Sequence, residues 1–286
     1  MSTILTCPVC PHACSLKEGA VGRCRARKHV NDGNEDKIVP INYAIATSLA
    51  LDPIEKKPLN RFYPGSYILS VGSFGCNLSC PFCQNHEIST SDGTPFLSED
   101  NRIAPDELVD IALNTRSKGN IGIAFTYNEP LVGYEYVLDC ARMAKEAGLK
   151  TVLVTAGCIN KPIAEQVLPY IDALNIDLKA FKKETYSKTL GGNLDTVRTF
   201  IEEAVKTSHV ELTTLVVPGM NDTAEEMNEI CDYILTLKGG VDIPLHISRF
   251  FPRHKMTDRQ PTGVGLILKL ADLAGKKLNY VYPGNI

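Results

Sequence analysis

The sequence lacks an excess of charge of one sign and lacks any long uninterrupted apolar run. Thirty Lys and Arg residues nearly balance 33 Asp and Glu residues, which leaves a formal net charge of −3 at pH 7. The sequence also has no run of Lys and Arg residues that would predict a nucleic-acid-binding surface. No segment approaches the roughly 18–20 consecutive apolar residues that a membrane-spanning helix needs, and the first residues lack the apolar core of a secretory signal. We therefore expect a cytoplasmic protein that binds neither nucleic acid nor membrane.

The ten cysteines are distributed unevenly along the chain. Most of them fall in two tight groups: Cys7, Cys10, Cys14 and Cys24, then Cys76, Cys80 and Cys83. In a reducing cytosol, groups with such short spacings indicate metal ligands rather than a disulfide framework. The other three, Cys140, Cys158 and Cys231, are isolated, and we expect them to be buried core residues.

The composition and the hydrophobic pattern of the chain change near Tyr67. Residues 1–66 are rich in Cys, Gly, Pro and charge, and prolines punctuate Asp52–Ser66, which indicates an extended connector. From Tyr67 onward, short apolar runs alternate with helical stretches. The predicted strands are Ile68–Val71, Ile121–Phe125, Thr151–Thr155, Ala173–Ile176, Val210–Leu215, Pro244–Ile247 and Leu278–Val281. The predicted helices are Asp106–Lys118, Gly133–Ala147, Asp195–Thr207, Thr223–Leu237 and a last helix that Thr262 caps and that runs through Ala274.

This alternation predicts an α/β fold with a parallel sheet and right-handed crossovers. Seven strands without a sheet-reversal signal favour a barrel or a partly open barrel. We therefore predict a small Cys-rich N-terminal extension with its connector over residues 1–66, followed by a barrel over residues 67–286. In such a fold, ligands gather at the carboxyl ends of the strands, so functional residues should follow the strands directly.

The second cysteine group has the spacing C-x3-C-x2-C and directly follows the first predicted barrel strand. Thiolates of Cys76, Cys80 and Cys83 on one short loop can ligate three irons of a [4Fe–4S] cluster and leave the fourth iron open. Redox chemistry at a bound ligand requires such an open iron. The residues alone also allow a zinc knuckle in which His86 supplies the fourth ligand.

The first cysteine group offers a complete set of ligands, because Cys7, Cys10, Cys14 and Cys24 are four thiols. A closed site of this kind is either structural zinc or a second [4Fe–4S] cluster, and His12 could replace one ligand. Small segments with weak hydrophobic cores need a metal site of this kind to stabilise their fold. We expect a structural role, with a slight preference for zinc over iron.

Several strings resemble the radical SAM (S-adenosylmethionine) superfamily. Ser73–Leu78 and Cys83–Asn85 are similar to its pyruvate formate-lyase activating enzyme branch. Together with Cys7–Cys24 and Asp52–Leu59, they are most similar to the radical SAM component of the AmmeMemoRadiSam group. The resemblance implies a partial (β/α)6 TIM-type barrel, a [4Fe–4S] cluster, and SAM bound to the open iron. It also implies that one electron cleaves SAM to methionine and a 5′-deoxyadenosyl radical, which takes a hydrogen atom from the substrate.

The resemblance extends to the loop that follows the second barrel strand. Residues 125–130 are similar to the Gly-Gly-Glu-Pro loop that binds the SAM amine in the superfamily, with Tyr127 and Asn128 in place of the glycines. This implies that Asn128 and Glu129 bind the cofactor, and a carboxylate is a suitable acceptor for an ammonium group. A solvated loop acid is the alternative.

The later strand ends supply the remaining residues that the resemblance implies. Thr155 stands in a Thr-Ala-Gly string where relatives often have Thr-Asn-Gly. Asp177 and Lys179 match the Asp-x-Lys of the activating enzymes, which implies catalytic and cofactor-binding roles, although an ordinary ion pair at a strand end is the alternative. Val216 lies at a turn that family members place near adenosine. His246 matches a position near adenine, but a lone His is more often simply packed.

Three functions are compatible with the sequence. The first is a glycyl-radical activase that acts on a protein partner and receives electrons from a low-potential donor such as flavodoxin or ferredoxin. The second is a radical SAM enzyme that modifies a small molecule or a Memo-system partner. The third is a zinc-binding protein without redox activity.

Overall fold

The computed structural model describes residues 3–286 of the chain. Its strands are β1 (Ile4–Thr6), β2 (Ser15–Lys17), β3 (Arg27–Asn31), β4 (Asp36–Pro40), β5 (Ser48–Pro53), β6 (Tyr67–Gly72), β7 (Asn120–Phe125), β8 (Lys150–Thr155), β9 (Ala173–Asp177), β10 (His209–Val216), β11 (Leu245–Arg249) and β12 (Val281–Gly284). Its α-helices are α1 (His86–Ser89), α2 (Pro105–Asn114), α3 (Tyr134–Glu146), α4 (Lys161–Val167), α5 (Leu194–Thr207), α6 (Ala224–Thr236) and α7 (Val264–Gly275). Short 3-10 turns occupy Ile54–Lys56, Thr94–Phe96, Glu99–Asn101, Arg116–Lys118, Pro130–Gly133, Leu168–Tyr170 and Gly240–Asp242, and a π-helix occupies Thr185–Leu190.

Eight strands form one sheet in the order β12-β11-β10-β9-β8-β7-β6-β5. The strands from β6 to β12 are parallel, and β5 joins the edge of the sheet antiparallel to β6. The sheet is open, because β5 and β12 are its two edges. This arrangement confirms the predicted α/β class and the partial barrel. Among residues 3–286, no helix is both long and apolar enough to cross a membrane.

The two faces of the sheet differ in polarity because side chains alternate along a strand. In β9, Leu174 and Ile176 pack into the main hydrophobic core with residues of the surrounding helices. Asn175 and Asp177 point to the opposite, inner face. There, Asn175 accepts a hydrogen bond from Thr213 of β10 at 2.9 Å. The inner face of β9 and β10 therefore carries polar side chains.

The predicted connector crosses the inner face of the sheet. Ile54 and Leu59 pack in a small apolar cluster with residues of β6, β7, β8 and β9. The carbonyl oxygen of Pro58 accepts a hydrogen bond from Asn175 at 2.8 Å. The backbone amides of Asn60 and Arg61 donate to the buried carboxylate of Glu211 in β10, at 3.0 and 2.7 Å. The connector is therefore a packed part of the barrel interior.

The sheet begins before the predicted boundary at residue 67, because β5 lies within the segment that we assigned to the extension. The N-terminal hairpins β1–β2 and β3–β4 also pack on the barrel. The anchor is Arg27, which is buried and pairs with Glu135 of α3 at 2.7 Å. The extension and the barrel thus share contacts over a broad surface.

Three predicted boundaries near the carboxyl terminus were wrong. The last strand runs over β12 instead of 278–281, because the Leu278 amide bonds back to Ala274 and continues the turn of α7. Thr262 does not cap α7, since its hydroxyl donates to the carbonyl of Val216 at 2.6 Å. β11 extends to Arg249, which pairs with the last residue of β10.

Candidate active site at the mouth of the barrel

The loop after β6 carries Cys76, Cys80 and Cys83, as predicted. The amide of Leu78 donates to the Cys76 sulfur at 3.4 Å, and the Cys83 sulfur lies 3.3 Å from the Ser89 hydroxyl. Gly75 precedes the first cysteine with a φ of +90°, and a Cβ there would lie 2.6 Å from the carbonyl oxygen of Cys24. Only glycine allows the loop to approach the N-terminal segment so closely.

The three cysteines are partly exposed, and their thiols influence one another electrostatically. Burial raises the pKa of Cys80 to about 11. Burial also raises the pKa of Cys76 well above its ordinary value, and Glu129, Cys80 and Cys83 raise it further. Thiols whose pKa is raised in this way, Cys76 and Cys80, need a bound cation to become thiolates. Three soft donors on one short loop suit an iron–sulfur cluster with an open iron, so the residues fit the group that the sequence predicted.

The zinc knuckle that the sequence left open is not assembled. Among residues 3–286, no three Cys, His, Asp or Glu side chains converge as tightly as a single metal ion requires. His86 stacks on His254 instead, with 4.6 Å between the ring centroids.

Glu129 follows β7 and is almost completely buried. Its Oε1 accepts hydrogen bonds from the Thr155 hydroxyl at 2.7 Å and from the Leu131 amide at 3.2 Å. Its Oε2 accepts from the amide of Ala156 at 2.8 Å. Burial raises the pKa of Glu129, while these donors and Lys179 oppose that shift. The carboxylate therefore joins the loops after β7 and β8, which is a contact that the sequence did not predict.

Asn128 connects the same loop to the cysteine loop. Its side-chain amide donates to the carbonyl oxygens of Phe74 and Gly75 at 3.2 and 3.1 Å, and its oxygen accepts from the Ser73 amide at 3.1 Å. Asn128 thus fixes the path of the chain just before Cys76. Direct binding of a cofactor by Asn128, Glu129 or Thr155 stays a prediction.

Asp177 ends β9, and Lys179 follows it. Lys179 Nζ donates to Asp177 Oδ2 at 2.8 Å, so the two side chains form the ion pair that was the alternative prediction. Burial would lower the pKa of Lys179, but Asp177 and Cys80 raise it above its ordinary value. Lys179 also acts electrostatically on Cys80 and on Glu129. The structure therefore brings this ion pair together with the cysteine loop and the loop after β7.

Val216 and His246 are packed within the fold, whereas the other predicted residues lie near the cysteine loop. Val216 ends β10, but its side chain is buried in the hydrophobic core. His246 is the second residue of β11 and so does not follow the strand, contrary to our expectation. Its Nε2 lies 2.7 Å from Glu211 Oε2, and its ring stacks on Tyr282. Contact of either residue with adenosine stays a prediction.

The structure also contains a buried polar cluster that was not predicted from the sequence. Tyr127 donates its hydroxyl to Asp52 at 2.8 Å, and Lys57 pairs with the same carboxylate oxygen at 2.9 Å. Tyr127 has a φ of +74°, and a Cβ on Gly72 would lie 2.7 Å from its ring. Burial raises the pKa of Tyr127 to about 12. Both strings had been noted for their resemblance, but only the fold joins them.

The fold and this site define an α/β-barrel protein with a three-cysteine loop and charged residues at the ends of its strands. The family model of the Radical SAM superfamily matches residues 70–234. The chain belongs to the radical SAM superfamily. It therefore belongs to a class of enzymes that carry out radical chemistry with a [4Fe–4S] cluster and SAM.

The isolated Cys140, Cys158 and Cys231 are fully buried, as expected.

Three relatives illustrate the range of similarity. An uncharacterised protein of Methanocaldococcus jannaschii, MJ0808, is 37% identical over 98% of this chain and 81% of its own length. The GTP 3′,8-cyclase of Lactiplantibacillus plantarum is 30% identical over 62% of this chain, which spans about half of the cyclase (52%). The pyruvate formate-lyase-activating enzyme of Clostridium pasteurianum is 22% identical over 70% of this chain and 80% of its own length. The likeness to activating enzymes confirms the predicted branch.

Proposed function

We propose that this chain is a cytoplasmic activating-type radical SAM enzyme, which abstracts a hydrogen atom from a protein partner. One observation carries the proposal: the cysteine loop, Glu129 and the pair Asp177–Lys179 lie within electrostatic range of one another. The Asp-x-Lys pair is the feature that resembles the activating enzymes. The similarity to the pyruvate formate-lyase-activating enzyme supports the same branch.

In this proposal, the chain's own residues bind, orient and exclude water. The sulfurs of Cys76, Cys80 and Cys83 hold the cluster, and Asn128 fixes the path of their loop. Glu129 lies beside this loop as an acceptor for the SAM ammonium. The bound cluster and SAM together supply reductive cleavage of SAM and a 5′-deoxyadenosyl radical for hydrogen abstraction.

Asp177 and Lys179 have a separate role in this proposal. The pair keeps Lys179 charged next to Cys80, because Asp177 stabilises the ammonium in a buried place. From the end of β9, the two side chains are positioned to orient the adenosyl group or the substrate. A flavodoxin or ferredoxin would supply the electron.

A second candidate function is modification of a small molecule or of a Memo-system partner. The similarity to a GTP 3′,8-cyclase favours this candidate, because that relative is named for a reaction of GTP. The superfamily membership leaves no support for the third candidate, a zinc-binding protein without redox activity.

The first experiment tests the cluster. Anaerobically purified protein should contain iron and sulfide, and with dithionite and SAM it should release 5′-deoxyadenosine. Cys80→Ala should abolish that release, while Cys231→Ala, which changes a buried helical cysteine outside both groups, should retain it. Wild-type 5′-deoxyadenosine formation by Cys80→Ala would refute the site.

The second experiment separates the two substrate classes. An anaerobic extract of the source cells is divided by ultrafiltration into macromolecules and small molecules, and each fraction is added to the reduced enzyme with SAM. An activase should release more 5′-deoxyadenosine with the macromolecular fraction. Stimulation by the small-molecule fraction alone would contradict the activase proposal and favour the second candidate.

A further inference from the structure

Four cysteines outside the active site gather in the N-terminal segment. Cys7, Cys10 and Cys14 lie in the loop between β1 and β2, where the Cys7 amide donates to the Cys14 carbonyl at 2.9 Å. Cys24 lies in the turn before β3. A Cβ on Gly22, in the same turn, would lie 3.8 Å from the Cys14 sulfur. The hairpin loop and the turn therefore face each other across these thiols.

These thiols are protected from solvent and unpaired. Cys7, Cys10 and Cys24 are buried, Cys14 is partly exposed, and all four are free cysteines. Three buried thiols in a segment of short hairpins occupy places that apolar side chains would fill in an ordinary small core. If these cysteines served only to pack the segment, the hydrogen bonds to their sulfur atoms, described next, would have no explanation.

Amide groups point at two of these sulfur atoms. The backbone amide of His12 donates to the Cys10 sulfur, and the amides of Ala26 and Arg27 donate to the Cys24 sulfur. The same spacing, from a cysteine to the amide two residues later, joins Leu78 to Cys76 in the active site. Hydrogen bonds to ligating sulfurs are a feature of iron–sulfur sites.

The N-terminal thiols lie directly behind the active-site loop. The Cys24 carbonyl accepts the amide of Cys76 at 3.1 Å. The side chain of Asn77 donates to the Cys10 sulfur and to the carbonyl of Cys158. Cys158 in turn lies within electrostatic range of both Cys10 and Cys80. A redox centre in the N-terminal segment would therefore be a close neighbour of the active-site cluster.

We propose that Cys7, Cys10, Cys14 and Cys24 bind a second [4Fe–4S] cluster, which is closed because four thiolates occupy all four irons. Tetrahedral zinc requires four sulfurs about 3.8 Å apart, given a Zn–S distance of about 2.3 Å. Within residues 3–286, neither cysteine group converges in that way. The N-terminal group also shares the amide–sulfur pattern with the active-site group. The structure therefore favours iron over the zinc that we slightly preferred from the sequence.

The decisive variant removes the active-site ligands and leaves the proposed site intact. The triple variant Cys76→Ala, Cys80→Ala, Cys83→Ala is purified and reconstituted anaerobically, and its iron, sulfide and zinc are measured. We expect about four irons and about four sulfides per chain, against about eight of each in the parent protein. Dithionite should also produce the electron paramagnetic resonance signal of a reduced [4Fe–4S] cluster. A triple variant without iron, or with about one zinc per chain instead, would overturn the proposal.

The complementary variant, Cys10→Ser with Cys24→Ser, should lose about half of the iron and keep the cluster whose spectrum changes when SAM is added. Cys231→Ala is the matched control and should keep the full iron content. Because the triple variant needs no change in the N-terminal segment, its result stands even where the double variant fails to fold. Failure of the proposed function would appear in the parent protein, either as absent SAM cleavage or as stimulation by small molecules alone, and neither result changes the iron content of the triple variant.

Discussion

Glu129→Gln is the sharpest test of where SAM binds. The substitution preserves the size of the side chain but removes its charge. If the carboxylate meets the SAM ammonium, its neutralisation removes one charge-assisted hydrogen bond, worth about 1.5–3 kcal/mol in a buried site. We therefore expect the dissociation constant for SAM to rise by roughly 10- to 150-fold. Isothermal titration of the anaerobically reconstituted protein with SAM measures this change directly.

The structure supplies a matched control for this substitution, because Glu129 also holds the loop after β8. Thr155→Val removes the 2.7 Å hydrogen bond to Oε1 and leaves the charge of Glu129 in place. It should destabilise the fold by about 1–3 kcal/mol, as a buried acceptor loses a partner. Its SAM affinity should fall by less than about tenfold. Equal losses of affinity in both variants would show that Glu129 acts only by joining the two loops.

Three further predictions concern other parts of the molecule. Lys179→Ala should lower the rate of 5′-deoxyadenosine formation more than it lowers SAM affinity, since we propose that Asp177 and Lys179 orient the adenosyl group or the substrate; equal effects on both quantities would contradict that role. Gly75→Ala should lower the melting temperature and the iron content together, because its Cβ would lie 2.6 Å from the Cys24 carbonyl in a left-handed backbone conformation; an unchanged iron content would contradict this. Burial opposes the shift, but neighbouring histidines and backbone amides lower the pKa of Glu211 from 4.5 to about 2. The buried carboxylate therefore stabilises the fold above pH 4.5, and this stabilisation is lost as the pH falls toward 2. Glu211→Gln should cost on the order of 3 kcal/mol at neutral pH, and the difference from the parent in urea denaturation should shrink below pH 4.5; a difference independent of pH would refute the assignment.

The sequence predicted those features that depend on local patterns. The parallel strands were found because each is a short apolar run between helical stretches, and only their ends were misplaced. The cysteine loop was found because its spacing is itself the chemical signal. Glu129 and the pair Asp177–Lys179 were expected at the mouth of the barrel because they follow or end predicted strands, and their roles stay predictions.

The features that were missed depend on contacts between distant parts of the chain. β5 was assigned to the N-terminal extension because residues 1–66 show little clear periodicity, whereas its pairing with β6 decides its structure. Glu211 attracted no attention because a single acid in a strand has no local signature, yet it holds Asn60 and Arg61, about 150 residues away. His246 matched a family position, but the carboxylate that binds its ring became visible only in the fold.

The crossing of the connector over the inner face has a kinetic consequence. Ile54 and Leu59 fill the apolar part of that face, and Arg61 continues across to Tyr280, close to β12. Small molecules must then reach the interior from the carboxyl ends of the strands, which is also where a protein substrate would dock. For the proposed activase, this route predicts ordered loading: SAM should enter first, the partner should close the entrance behind it, and the spent products should leave only after the partner has departed.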